Sequence, residues 1–201
     1  MRDIVDSKTI VSLRRPDRGF YSRRALDLAP MLLGMVLAHV TPAGLTAGRI
    51  TEAEAYEGPE DRACHAFGGR RTARTEVMFG PPGFAYVYFT YGMHWIFNVV
   101  AGGIDIPHAV LVRSLEPIAG IEIMERRRNG ALPLTRGPGR LTQAMGIGAI
   151  DNGKDLVAGD LFIAFPPQGM DDPVSYTITK RIGVDNRGEA RDYPWRFVAA
   201  R

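Results

Sequence analysis

The chain has 201 residues, 45% hydrophobic and 23% charged, with a formal net charge of +3 and one cysteine. That length makes one ordinary domain, or at most two small ones, whose core can hold the fold without covalent or metal staples, and the composition excludes global disorder. Cys64 alone excludes an internal disulfide framework, a cysteine-rich zinc site and an iron–sulfur cluster held only by cysteines.

Residues 1–18 are polar without a clear period and are predicted to form a flexible N-terminal arm, leaving 19–201 as the domain proper. No secretory signal is expected, because the first residues lack an apolar core. The longest apolar run, residues 29–40, is broken by Pro30, Gly34 and His39 and is too short to cross a bilayer. A cytoplasmic protein is expected, and a single cysteine fits that reducing compartment. Ser22 is a candidate N-cap for a helix running through Leu33. Residues 35–40 read as a strand, Thr41-Pro42-Ala43-Gly44 as a turn, and 49–56 as the returning strand. Gly58-Pro59-Glu60-Asp61 is a second turn, with Asp61 a possible helix cap. Residues 72–78 have room for one or two helical turns before the breaker Gly80-Pro81-Pro82-Gly83.

Residues 84–90 and 94–100 read as aromatic strands joined at the hairpin tip Tyr91-Gly92-Met93. A third strand is expected at 109–115, a helix at 117–128 and a short helix at 140–145. Strands at 161–165, 176–184 and 195–199 close the chain. With 23 glycines and 14 prolines marking tight turns, this is a loop-rich α+β domain.

Two segments concentrate chemistry. In a strand over 49–56, Ile50, Glu52, Glu54 and Tyr56 share one face. Acidic residues are poor strand formers, so two on one face mark either a placed pair of carboxylates or the polar face of an edge strand. In 84–90, Tyr86 and Tyr88 share one face, opposite Ala85, Val87 and Phe89. An exposed Tyr91 and Met93 at the following tip suit a wedge that enters a DNA groove, or they fold back onto the core. Arg113, within the apolar run Val110-Leu111-Val112-Arg113-Ser114-Leu115, needs a partner such as Glu54 or an anion. The 22 arginines against three lysines (Lys8, Lys154 and Lys180) suit phosphate contacts, although a GC-rich genome yields the same bias.

A Cys64–His65 nucleophilic pair is not expected, since sequence neighbours point apart and no Asn or Asp is placed to orient the imidazole. Four histidines without an HExxH run, and the lack of any phosphate-loop or dinucleotide fingerprint, lead us to expect no metal and no cofactor.

Taken together, these blocks resemble the alkyladenine (3-methyladenine, or methylpurine) DNA glycosylase family. The resemblance rests on Arg49-Ile50-Thr51-Glu52-Ala53-Glu54-Ala55-Tyr56, Gly58-Pro59-Glu60-Asp61, His65 and Gly68-Gly69-Arg70. It continues through Met78-Phe79, Pro82-Gly83, Tyr86-Val87-Tyr88, Tyr91-Gly92-Met93, Asn98, Leu111-Val112-Arg113 and Leu115-Glu116-Pro117. Gly137-Pro138, Gln143-Ala144, Arg181-Ile182-Gly183-Val184 and Pro194-Trp195-Arg196-Phe197 complete it, in order from about residue 25 to 197.

The resemblance implies one mixed domain with a curved antiparallel core, short surrounding helices and a protruding hairpin that intercalates into DNA. It implies a base excision repair enzyme that flips alkylated or deaminated purines out of double-stranded DNA and hydrolyses the N-glycosidic bond. Glu54 matches the general base, and His65 and Arg113 match residues that hold the water and the site. Tyr56, His65 and Tyr88 match the walls of the base pocket. Asn98 matches the residue that hinders guanine, and Tyr91, with Met93 beside it, the intruding tip. With no lysine among these blocks, the expected product is an abasic site with an intact backbone. A monomer suffices for a DNA wedge, and a bacterial location would be nucleoid-associated. The competing readings are a non-catalytic damage sensor or architectural binder on the same fold, which has no need of Glu54, and a hydrolase or transferase acting on small nucleosides or other metabolites, which has no need of Tyr91.

Overall fold

A computed structural model describes residues 5–170 and 174–200. In chain order the helices and strands are α1 (Ser7–Ser12), α2 (Arg18–Tyr21), α3 (Ala25–Met31), β1 (Val36–Thr41), β2 (Gly44–Tyr56), β3 (Ala85–Thr90), β4 (His94–Ala101) and β5 (His108–Ala119). There follow α4 (Ile121–Arg127), α5 (Pro138–Met145), β6 (Leu161–Ala164), β7 (Tyr176–Thr179) and β8 (Arg196–Ala199). All pairings are antiparallel, in the order β3-β4-β5-β2-β1-β6. The 13-residue β2 is long enough to pair along one edge with β1 over 44–49 and then with β8 over 52–54. The expected α+β domain with an antiparallel core and short helices is what forms.

Period-two alternation sorts the middle strands between two faces. Ala85, Val87, Phe97, Val99, Val110 and Val112 face a main core closed by Leu28 of α3, Leu32 just after it, and Leu141 and Met145 of α5. Tyr86, Tyr88, Ile96, Asn98, Leu111 and Arg113 face the other way, into a cleft. The sheet therefore has a sealed side and a side with room for a ligand.

Four expectations are corrected. First, Ile50 does not share a face with Glu52 and Glu54. Register shifts on both sides of Glu52 reverse the alternation, so Ile50 joins Ala53 and Ala55 in the main core. Second, residues 5–18 are no free arm. Ile10 is fully buried against Val36, Ala38 and Phe162, while Arg14 and Arg15 lie over the rings of Phe165 and Phe162 at 3.8 and 3.7 Å. One apolar anchor and two cation–π contacts tie down a segment whose composition reads as solvated; residues 1–4 lie outside the described residues.

Third, the expected helix at 117–128 begins only at Ile121, because β5 runs on to Ala119 opposite Ala47. Gly120 makes the corner with a φ of 65°, where a Cβ would strike the Leu45 carbonyl. Fourth, Ser22 caps nothing that runs to Leu33: α3 starts at Ala25, and the Leu26 N–H donates to the distant Glu57 carboxylate at 2.9 Å.

Candidate active site

Glu54 lies in the second half of β2, opposite Leu111 of β5 on one side and Arg196 of β8 on the other. Its carboxylate has no solvent exposure, and both oxygens are held. Oε1 accepts the Ile182 N–H at 2.9 Å and faces Arg113 Nη1 at 3.3 Å, while Oε2 accepts the Tyr56 hydroxyl at 2.9 Å. Burial raises the Glu54 pKa above the ordinary carboxylate value, and Arg113, the Ile182 N–H and the Tyr56 hydroxyl pull it part of the way back. The result is a desolvated, oriented carboxylate, more basic than one at the surface. Arg113 thus finds the partner its apolar strand requires.

Tyr56, Arg113 and Ile182 present their other sides to a cleft of about 550 Å³. Glu54 stands directly behind this wall. The rest of the cleft is built from the alternating faces described above and from the segment after β2. His65 Nδ1 lies 2.9 Å from the Tyr86 hydroxyl, and its ring meets Tyr88 edge-on at 4.6 Å between centroids. Tyr86 and Tyr88 stand 5.3 Å apart. Asn98, buried on β4, donates from Nδ2 to the Tyr86 carbonyl at 3.1 Å. The sequence-predicted residues Glu54, Tyr56, His65, Tyr88, Asn98 and Arg113 are therefore gathered in and behind one cavity.

Burial, with Arg74 and Arg187 nearby, lowers the His65 pKa to about 4. The imidazole of the unfolded chain takes up its proton near pH 6.5. The native state therefore resists protonation, and the associated stability is present above that pH and is lost as pH falls from there through the folded value. NMR of the His65 ring is expected to report a neutral imidazole down to about pH 5. A midpoint at the ordinary value would mean that the ring is solvated.

The hairpin tip stands at the rim. Met93 N–H returns to the Thr90 carbonyl at 3.2 Å, with Tyr91 and Gly92 at φ values of 51° and 67°. Tyr91 is thus held in the sparsely populated left-handed region, 82% exposed, with Met93 67% exposed beside it. Tyr91 borders the cleft, and Met93 is not among the residues that line it.

Sequence reasoning missed the supports beneath these walls. Arg181 and Asp61 form an ion pair with no side-chain exposure, at 2.8 Å between Nη2 and Oδ1. The Arg181 guanidinium also lies 4.6 Å from the Tyr56 ring centre and 4.8 Å from that of Trp195. This is why β7 stops at Thr179 rather than running to 184: the chain leaves the sheet to bury Arg181 and to bring the Ile182 N–H to Glu54. Asp61 does accept the Ala63 N–H, as a capping residue does, but its charge is committed to Arg181. Arg74, over the Tyr88 ring at 4.8 Å, was also missed, since a segment read only as one or two helical turns does not show which way its arginine points.

Among the described residues, no group of three or more His, Cys, Asp and Glu side chains is arranged to hold a metal ion. Nor is any helix there long and apolar enough to cross a membrane.

A buried carboxylate behind an aromatic cleft, on an antiparallel sheet with an exposed aromatic tip, is an arrangement suited to DNA glycosylases. The family model described as methylpurine-DNA glycosylase matches residues 19–201, and the chain belongs to that family. A relative from Desulfitobacterium hafniense is 44% identical over 195 residues, covering 92% of this chain and 95% of its own. Relatives from Bacillus licheniformis and Bacillus subtilis are 48% and 47% identical, each over 180 residues and 89% of both chains. All three carry the provisional name 3-methyladenine DNA glycosylase.

Proposed function

We propose that this chain is a monofunctional DNA glycosylase that takes alkylated or deaminated purines out of duplex DNA and hydrolyses their N-glycosidic bond. The observation that carries the reading is Glu54: fully buried, hydrogen-bonded through both oxygens, and set directly behind the aromatic walls of the cleft. Extruding a base costs a few kcal/mol, least for a damaged one. In this reading Tyr91, exposed at the cleft rim, fills the vacated stack, while Tyr56, Tyr88 and His65, which line the cleft, supply faces for the flipped base. Stacking returns roughly 1–3 kcal/mol per base, and a methylated purine carrying positive charge gains further from tyrosine π-faces. Asn98, locked by the Tyr86 carbonyl, restricts what the pocket floor accepts.

In the chemical step the bond between C1′ and the purine nitrogen breaks and its electrons leave with the base. Water adds to C1′ and gives its proton to Glu54, whose charge also favours the developing oxocarbenium. Arg113 orients the carboxylate. Ile182, half exposed, covers Glu54 from the cleft side and is the segment that must yield to admit the sugar and the water. No lysine lines the cleft; Lys154 pairs with Asp151 and Asp160, and Lys180 with Asp192. The product is therefore an abasic site rather than a cleaved strand. One chain carries both wedge and pocket, so a monomer is sufficient.

The test is single-turnover incubation with duplex DNA methylated by dimethyl sulfate and, in parallel, duplex containing hypoxanthine. Free methylpurine is expected, with strand breaks only after alkali. Tyr91→Ala is expected to leave thermal stability unchanged, since its side chain is exposed, and to slow release from duplex roughly 5- to 150-fold, the rate equivalent of one lost stack. Lesion binding without release by folded wild-type protein would replace the enzyme with a damage binder. Release from free nucleosides with Tyr91 dispensable would replace it with a nucleoside hydrolase.

A further inference from the structure

Glu52, the second acidic residue of β2, has a placement that the proposed chemistry does not use. Its Oε1 accepts two guanidinium N–H groups, from Arg113 Nε at 2.9 Å and from Arg196 Nε at 2.6 Å. Arg196 is fixed in turn by donating from Nη1 to the Thr179 hydroxyl at 3.0 Å. Glu52, Arg113 and Arg196 are all largely buried, so these contacts are weakly screened. The four side chains form a neutral row: Arg196, Glu52, Arg113, Glu54.

A guanidinium binds a carboxylate best through two parallel N–H groups. Arg113 does not do this with Glu54. Its Nε is taken by Glu52, and only Nη1 reaches Glu54, at the longer 3.3 Å. Resting on the reading of Glu54 as the base, we infer that Glu52, anchored by Arg196, is a positioning residue. It holds Arg113 by Nε, so that Glu54 receives one loose contact rather than the whole fork and stays available to a water.

A carboxylate gripped by a full fork is a weak base with blocked lone pairs. The groups facing Glu54 are Arg113 from β5, Arg181 from the segment after β7, Tyr88 from β3, and Tyr56 and Glu52 from its own strand, while Arg196, its backbone partner on β8, is engaged by Glu52 and Thr179. Of these, the nearby negative charge of Glu52 works with burial to keep Glu54 basic, and Arg113 works against it.

The test is the pH profile of single-turnover base release from dimethyl-sulfate-methylated duplex, for wild type, Glu52→Gln, Glu52→Asp, Arg196→Gln and Glu54→Gln. Glu52→Gln removes the charge and frees the fork for Glu54. Its acid limb is expected at lower pH than that of wild type, with a lower plateau. Arg196→Gln removes a cation and leaves Glu52 wholly to Arg113, so its acid limb is expected at higher pH. Glu52→Asp keeps the charge and is expected to restore the wild-type limb.

A merely structural role for Glu52 predicts lower melting temperatures with all limbs superimposed, and that outcome overturns the inference. Should Glu52→Gln fail to fold, the Arg196→Gln shift decides by its presence or absence. Retained turnover in Glu54→Gln overturns the underlying reading instead, whatever the other variants do.

Discussion

Glu54→Gln is expected to lower base release by roughly 10²- to 10⁴-fold, the range for loss of a positioned general base, with folding and lesion binding intact. The substitution keeps the shape of a side chain that has no exposed surface. The amide oxygen can still accept the Ile182 N–H and face Arg113, and the Tyr56 hydroxyl can turn to accept from the new NH₂. What disappears, on the proposed mechanism, is the ability to take a proton from water and to place negative charge near C1′.

Stability should not fall, and the sign follows from linkage. The folded Glu54 pKa lies above its unfolded value because of burial. Its contribution to stability is therefore present below the unfolded value and is lost as pH rises through the folded one. At neutral pH the wild type carries the burden of a desolvated carboxylate, which glutamine relieves. A melting temperature equal to or above that of wild type, tight binding to methylated duplex and near-absent release would together assign Glu54 to chemistry. Release at the wild-type rate would remove it from the reaction.

What the sequence made legible, and what it hid, divides along the range of the forces involved. The tyrosine faces of β3 were readable because strand alternation is local: Tyr86 and Tyr88 must point together, and they do so into the cleft. The need of Arg113 for a partner was readable because a charge in an apolar strand cannot remain alone, and Glu54 and Glu52 both answer it. Alternation failed at Ile50, where the register shifts around Glu52 depend on how β2 meets β5 rather than on either strand alone. The packing of residues 5–18 was hidden because a single buried Ile10 does not stand out in a polar segment. The Arg181–Asp61 pair was out of reach for a plainer reason: its members are 120 residues apart, and neither sits in an apolar run that would advertise a buried charge.

That hidden pair leads to the second large effect. Arg181→Leu is expected to destabilise the protein by about 3–5 kcal/mol, the usual consequence of leaving one buried charge without its partner, and to lower the melting temperature on the order of 10 °C. No discount for solvent applies, because neither side chain is exposed. Asp61→Leu should cost a similar amount, since it strands the guanidinium, whose Nε already lies buried without a partner.

The double variant Asp61→Leu/Arg181→Leu separates two roles. Replacing both members of a buried pair with apolar groups is often neutral in stability, so much of the melting temperature should return, less what is lost because the Ala55 and Ala190 carbonyls no longer receive N–H groups from Arg181. Base release should not return with it. Arg181 backs the Tyr56 ring and pins the segment whose Ile182 N–H orients Glu54, and leucine can do neither. A double variant that regains stability while its single-turnover rate stays low would show that this buried charge is kept for the position of the site. If activity and stability recover in step, the pair serves the fold alone.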